Sequence, residues 1–254
     1  MRILIITQDD PFYLAENINY LLENFPKNSE VVACCMFDVS PFGKRESFFD
    51  KAIKTWRIFG FSFFTYYALR FIGNRLNPRF KLKRVLEKHG VPTIQLSKPI
   101  NSSESVKILQ SYSPDLLVSI AGNQIFKKPI IELAPKGCLN LHTALLPKYR
   151  GLMPTFWVLK NNEKETGVSV FFVDEGIDSG PIIVQERVDI GEMSQEELIS
   201  HTKKVGMVAI IKAINLIEIG EYELIENDEE NMTYYTFPTR EDVIGFLKAG
   251  KRFF

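Results

Sequence analysis

The chain has 254 residues, 45% of them hydrophobic and 24% charged, with 31 basic side chains balancing 31 acidic ones. That length can bury a substantial core, and zero net charge excludes binding to nucleic acid through bulk charge alone. Three cysteines (Cys34, Cys35 and Cys138) make no disulfide framework, and no Cys/His cluster has zinc-ligand spacing, so the expectation is a reducing compartment and no structural metal.

Residues 2–7 (RILIIT) are a short apolar run, too short for a signal-peptide core. They read as a strand buried on both faces, and the expected location is the cytoplasm. Leu14, Ile18, Leu21 and Leu22 recur at helical spacing next, and 31–37 (VVACCMF) reads as a second buried strand. Further strands are expected at 93–96, 116–121, 138–141, 168–173 and 182–188, with helices near 103–112 and 128–134 between them. Ser194 followed by Glu197 is a capping box, and the apolar period behind it predicts a helix to about Ile219. Strands alternating with helices imply a Rossmann-like α/β domain, its mostly parallel sheet covered on both faces. The expected division is a catalytic domain over 1–220 and a short carboxy-terminal extension over 221–254. The acidic stretch 218–230 reads as a solvated turn.

One segment breaks the alternation. From Lys51 to Lys88 there are ten Lys/Arg and a single acidic residue, Glu87. Inside it Trp56, Phe59, Phe61, Phe63, Phe64, Tyr66, Tyr67 and Phe71 crowd together, yet the longest uncharged run, Ile58–Leu69, is twelve residues and too short to span a bilayer. The expectation is a helical insertion over 43–88. Its aromatics pack on the domain or on a second subunit of a homodimer, or its surface over 51–88 meets anionic lipid or a polyphosphate substrate.

The turn after the first strand, Gln8-Asp9-Asp10-Pro11-Phe12, has no glycine, and the first glycine of the chain is Gly43. A dinucleotide fingerprint or P-loop at that place is excluded. The chemistry-bearing stretch comes later. Asn140 and His142 close the strand at 138–141 and lead into a loop of turn-forming residues (Pro147, Gly151, Pro154). The strand at 168–173 ends in an acidic, glycine-bearing loop that offers Asp178. Catalytic groups in open α/β sheets sit at the carboxyl ends of strands. An amide and an imidazolium can hold the oxyanion of acyl transfer, and a carboxylate can keep the imidazole charged and relay a proton from an attacking amine. No Ser or Cys nucleophile stands beside them, which suits direct transfer to an amine.

These residues resemble the 10-formyltetrahydrofolate-dependent formyltransferases. The likeness rests on Asn140-Leu141-His142 running into Leu145-Leu146-Pro147-Lys148-Tyr149-Arg150-Gly151, then Gly167-Val168-Ser169, then Asp174-Glu175-Gly176-Ile177-Asp178-Ser179-Gly180. It is close over about 110–190 and holds in pattern over 1–37 and 190–220. The resemblance implies a formyltransferase fold with Asn140, His142 and Asp178 as its catalytic residues. It also implies a site for 10-formyltetrahydrofolate, the formyl donor, along Gly122, Asn123, Gln124, Ile125 and Phe126 and along Asp174, Glu175, Gly176 and Ile177.

Among the acceptors of that family, the absent glycine loop argues against glycinamide ribonucleotide. Initiator tRNA fits poorly with zero net charge and with 35 residues after Ile219, where the tRNA enzyme carries an additional barrel. The nucleotide-sugar group, whose members formylate amino-deoxysugars for surface polysaccharide, is the most similar, through Arg150-Gly151-x-x-Pro154-x-x-Trp157, Thr233-Tyr234-Tyr235 and the polar first turn. The resemblance then implies a small-molecule nucleotide-sugar acceptor and no nucleic acid partner, with Gln8, Asp9, Lys148, Tyr149, Arg150 and Trp157 expected to hold that acceptor. Arg70, Arg75 and Arg79 of the insertion are expected either near its diphosphate or at a dimer contact. A tRNA- or glycinamide-ribonucleotide-directed enzyme, and a non-catalytic folate-binding or membrane-surface protein, are the competing readings.

Overall fold

A computed structural model describes residues 1–38, 47–122 and 124–254. The first part of the expected insertion, 43–46, and Asn123 lie outside the described residues. Seven strands form the main sheet: β1 (Arg2–Gln8), β2 (Glu30–Phe37), β3 (Thr93–Ile94), β4 (Leu116–Ile120), β5 (Cys138–His142), β7 (Glu165–Phe172) and β8 (Ile182–Asp189). Their spatial order is β3-β2-β1-β4-β5-β7-β8, parallel from β3 through β5, with β7 antiparallel to both of its neighbours. The order reverses between β1 and β4, which opens a crevice at the carboxyl ends of β1, β4 and β5.

The strand period of two sorts the core into two layers. Ile3 and Ile5 point to one face, where α1 (Leu14–Glu23), α4 (Leu82–Lys88) and the long α8 (Gln195–Ile219) bury Leu14, Ile18, Leu82, Leu86, Ile210 and Ile214. Leu4 and Ile6 point to the other, against α5 (Ser103–Gln110) and α6 (Lys128–Ile131). The Ser194 hydroxyl accepts from the Glu197 N–H and the Glu197 carboxylate from the Ser194 N–H, so α8 starts with the expected reciprocal cap.

A third cluster joins segments far apart in sequence. Phe156 and Trp157 of α7 (Pro154–Lys160) pack with Phe246 of α9 (Arg240–Lys248), Phe59 and Phe253. Here the tail over 221–254 is built into the domain. Its β9 (Tyr234–Tyr235) pairs with β6 (Arg150–Gly151), Tyr234 against Arg150 and Tyr235 against Gly151. The acidic stretch is exposed from 221 to 226, as expected of a solvated turn, but Asn227 is buried and Ile225 bridges to Ile182.

The insertion is narrower than 43–88. Its described part is a hairpin of α2 (Phe48–Phe59) and α3 (Phe61–Leu76), followed by a short 3₁₀ turn. α4 belongs to the main core, because Leu82 and Leu86 are fully buried beneath α1. The aromatics pack partly on the domain: Phe59 and Phe63 meet Phe253, and Tyr66 stacks on Phe254. Phe49, Ile53 and Trp56 on α2, and Phe61, Leu69, Ile72 and Leu76 on α3, stay exposed. Among the described residues no helix is long and apolar enough to cross a membrane.

Candidate active site

A cavity of about 660 Å³ fills the crevice at the strand ends. Gln8 from β1, Ser119 and Ile120 from β4, and Asn140, Leu141 and His142 from β5 line it, facing the loop that carries Asp174, Gly176, Ile177 and Asp178. The structure therefore brings Asn140, His142 and Asp178 to one wall. Asn140 pairs in register with Ser119 on one side and Phe171 on the other, and His142 stands opposite Ser169. The Asn140 side chain makes no hydrogen bond within the protein among the described residues, so both ends of its amide are available to a ligand.

His142 is almost fully buried. Its Nε2 lies 2.7 Å from the Tyr149 carbonyl oxygen and its Nδ1 lies 3.5 Å from Asp178 Oδ2. A carbonyl only accepts, so Nε2 carries a proton and donates it there, which leaves Nδ1 facing Asp178. At 3.5 Å the pairing with Asp178 is loose, and an Nδ1–H can also reach a ligand oxygen. The same Asp178 Oδ2 accepts from the Gly151 N–H at 2.9 Å. Asp178 sits at φ +50, a left-handed conformation that Asp tolerates better than most side chains.

The turn between β5 and β6 is tied down from below. The Ser169 hydroxyl donates to the Ala144 carbonyl at 2.8 Å and accepts from the Leu146 N–H at 3.1 Å and from Gln185 Nε2 at 3.0 Å. This hydroxyl is fully buried, which gives the third residue of Gly167-Val168-Ser169 a definite task. The Asp174 carboxylate closes its own loop, accepting from the Gly176 N–H and the Ser179 hydroxyl.

Of the residues expected to hold the formyl donor, Gly122, Gln124, Ile125, Phe126, Asp174, Gly176 and Ile177 line the cavity. Glu175 does not; it is exposed on the outside of the loop. Asn123 is outside the described residues.

The expected acceptor residues divide sharply. Gln8 lines the cavity, whereas Asp9 lines a separate cleft of about 230 Å³ beside Arg75. Lys148 is exposed and away from the cavity. Tyr149, Arg150 and Trp157, also expected to hold the acceptor, do not line the cavity. The Tyr149 hydroxyl donates to Glu163 and its ring stacks on Tyr235. Arg150 is buried, pairing with Glu229 at 2.7 Å and donating to Asn227. Trp157 stacks on Tyr235 and donates from its indole to the Thr236 carbonyl. Arg150 and Trp157 turn their polar ends to the carboxy-terminal tail, because the β6–β9 pairing places that tail against them.

The arginines of the insertion are likewise spent. Arg70 pairs with Glu196 at 2.7 Å and donates to the Tyr13 hydroxyl, Arg75 lies over Phe71, and Arg79 pairs with Glu16. None of the three lines the main cavity. The cavity takes other residues that the sequence reading missed: Asp10, Tyr13 and Asn17 at the start of α1, Lys51 and Lys54 on α2, and Lys203 on α8. Burial raises the Asp10 carboxyl above its ordinary range and pulls the Lys203 ammonium below its own. Lys203 sits in the polar run Ser200-His201-Thr202-Lys203-Lys204 of α8, where sequence alone carries no sign of which polar side chain faces inward.

Comparison with known proteins gives the family and the fold of the chain. The chain is 38% identical over 176 residues to a methionyl-tRNA formyltransferase of Kosmotoga olearia, a match covering 68% of this chain and 55% of that protein. It thus spans about half the length of the curated relatives it matches. Among solved structures, the phosphoribosylglycinamide formyltransferase of Anaplasma phagocytophilum superposes with a TM-score of 0.64 at 17% identity, covering 94% of this chain and 99% of that one. The N-formyltransferase of Helicobacter canadensis, solved with folinic acid and dTDP-3-aminofucose, superposes with a TM-score of 0.59 at 19% identity, covering 95% and 72%. These structural likenesses show the fold. Residues 82–214 match the family described as formyl transferase, and with more than half of its length inside that match the chain belongs to the formyl transferase family.

Proposed function

We propose that this chain transfers the formyl group of 10-formyltetrahydrofolate to the amine of an amino-deoxysugar carried on a nucleotide. The observation that carries the reading is the convergence of Asn140, His142 and Asp178 on one wall of the cavity, with no hydroxyl or thiol nucleophile required. The donor fits the cavity in character. Ile125 and Phe126 offer apolar wall beside Ala121, Gly122 and Gln124, and the 174–177 loop offers a second polar edge, a combination that suits a flat heterocycle with an amide-like rim. Folinic acid bound to the Helicobacter canadensis relative supports the same choice.

In this reading the unprotonated amine attacks the formyl carbon. The Asn140 amide and the Nδ1–H of protonated His142 donate to the oxygen as it gains charge. Asp178 keeps the imidazole charged and takes the proton that the amine sheds, directly or through water. The carbon–nitrogen bond to the folate then breaks, the released nitrogen collects that proton, and tetrahydrofolate and the formamide leave. Tyr149 contributes only its carbonyl, which fixes the orientation of the imidazole ring.

A sugar acceptor is supported by the absence of a glycine loop after β1 and by the sugar N-formyltransferases among the structural neighbours. A second reading, formylation of methionyl-tRNA, is favoured by the names of the curated relatives. A turnover assay with 10-formyltetrahydrofolate separates them, using a panel of amino-sugar nucleotides beside glycinamide ribonucleotide and initiator methionyl-tRNA. Tetrahydrofolate formed only with a nucleotide sugar supports the first reading. Product with tRNA alone replaces it by the second.

A further inference from the structure

The α2–α3 hairpin has two unlike sides. Its inner side is built into the domain: Thr55 lines the cavity, Phe59 is buried in the third cluster, and Arg70 pairs with Glu196. Its outer side is apolar. On α3, Phe61, Leu69, Ile72 and Leu76 fall at helical spacing along one stripe, and on α2 Ile53 and Trp56 stand three apart. These six side chains leave between 45% and 77% of their surface in water. Scattered apolar side chains are ordinary on a protein surface, but a stripe of them along one helix face marks a contact.

The charge around this stripe has one sign. Of the ten Lys/Arg from Lys51 to Lys88, Lys51 and Lys54 line the cavity, and Arg70, Arg79 and Lys88 pair with Glu196, Glu16 and Glu23. Arg57, Arg75, Lys81, Lys83 and Arg84 are exposed and, among the described residues, have no carboxylate within 4 Å. Arg57 lies four residues from Ile53, and Arg75 three from Ile72, so both border the apolar stripe. Arg75 also shares the cleft of about 230 Å³ with Lys81 and Lys83, against the one carboxylate of Asp9.

We propose that the outer side of α2 and α3 docks on a membrane surface rich in anionic lipid. The apolar stripe enters the headgroup boundary, and Arg57, Arg75, Lys81 and Lys83 meet the lipid phosphates and carboxylates. Charge selects this occupant. Two copies joined through the same patch across a twofold axis would set these cations against their own counterparts, whereas an anionic bilayer offers them the opposite sign everywhere. With 12 and 16 residues, α2 and α3 are too short to span a bilayer and lie along its surface. Lys51, Lys54 and Thr55 on the opposite side of α2 line the active-site cavity, so docking sets the bilayer one helix diameter, about 10 Å, from that cavity. This contact is independent of which amine accepts the formyl group.

The test is co-sedimentation of the whole protein with phosphatidylcholine vesicles, with and without about one-third phosphatidylserine. The wild type should bind the phosphatidylserine vesicles and not the neutral ones. Arg57→Gln/Arg75→Gln/Lys81→Gln/Lys83→Gln and Leu69→Gln/Ile72→Gln/Leu76→Gln should each weaken binding by about tenfold or more. All of these side chains are exposed, and circular dichroism confirms that both variants fold. Trp56 reports the contact directly: tryptophan emission should shift to the blue on the vesicles. The shift should vanish in Trp56→Phe, because Trp157, the only other tryptophan, is buried. Wild type that does not bind overturns the docking surface, as does equal binding to neutral vesicles. Either multiple variant binding as tightly as wild type, or a blue shift that persists in Trp56→Phe, overturns it too. A lipid-free dimer in sedimentation velocity that Leu69→Gln/Ile72→Gln/Leu76→Gln dissociates also overturns it, by giving the stripe to a second copy.

Discussion

His142 and Asp178 stand 3.5 Å apart, Nδ1 to Oδ2, while the opposite ring nitrogen is claimed by the Tyr149 carbonyl at 2.7 Å. The shorter bond orients the ring and the longer one leaves its chemistry open. Asn140 is set two residues earlier on the same strand, so its amide and the imidazole point to the same side of the sheet. Losing either donor should lower kcat by about 10²–10³, or roughly 3–4 kcal/mol of transition-state stabilisation. Asn140→Ala should do this with an unchanged melting temperature, because the side chain has no hydrogen-bond partner among the described residues. A His142→Ala variant within tenfold of wild type in kcat would remove the role given to the imidazole.

Asp178 combines a charge with a left-handed backbone at φ +50. Asparagine suits that backbone and keeps an oxygen for the Gly151 N–H, so Asp178→Asn should fold normally. It removes only the charge that supports the imidazolium and takes the amine proton. A fall in kcat of about 10²-fold or more is expected, with folinic acid affinity nearly unchanged. Parallel kcat and binding measurements check this, and a fully active Asp178→Asn would return the proton to another acceptor.

Gly151 couples the site to the small β6–β9 sheet. It has φ +95, and a Cβ there would lie 2.2 Å from the Tyr235 carbonyl oxygen. Gly151→Ala must therefore both strain its own backbone and push β9 away. A loss of about 1–3 kcal/mol in stability is expected, with lower activity because the same residue's N–H holds Asp178. Thermal melting and turnover should fall together; a stable, fully active Gly151→Ala would contradict the geometry.

The third cluster makes the tail part of the domain. Phe246 is fully buried and stacks on Phe156 at 5.0 Å and on Phe253 at 4.7 Å. Phe246→Ala should destabilise the protein by about 3–5 kcal/mol, as read by urea denaturation. A loss below 1 kcal/mol would mean that the tail is a detachable extension.

All three cysteines are buried, Cys34 and Cys35 side by side on β2 and Cys138 at the start of β5. Burial pushes the Cys35 and Cys138 thiols from 9.0 up to about 12, and Cys34 upward as well. Between about pH 9 and 12 the folded chain keeps protons that the unfolded chain releases, so stability should fall as pH rises through that window. At pH 8 a thiol reagent such as Ellman's should find no reactive cysteine until denaturant is added. Rapid labelling of the native protein would place a thiol at the surface.

The runs of the main strands and the cap of α8 were legible because each rests on local rules, and the same reading put Asn140, His142 and Asp178 forward as candidates at strand ends. Buried parallel strands announce themselves as short β-branched runs, a capping box is four residues long, and strand ends mark where an α/β sheet binds its ligands. Arg150 and Trp157 looked equally chemical in the sequence and turned out to be framework, since only the pairing of β6 with β9 brings Asn227, Glu229 and Thr236 to their polar ends. Lys203 carries no sign in the sequence that sets it apart, and only the packing of α8 over the crevice turns it toward Asp10. What the sequence by itself determined is the run of main strands and the capped start of α8, because these depend on neighbours a few residues away. What only the tertiary structure decided is which charged side chains face the cavity, because that depends on contacts between segments as distant as α2, α8 and the tail, and their burial sets the energy of every charge they carry.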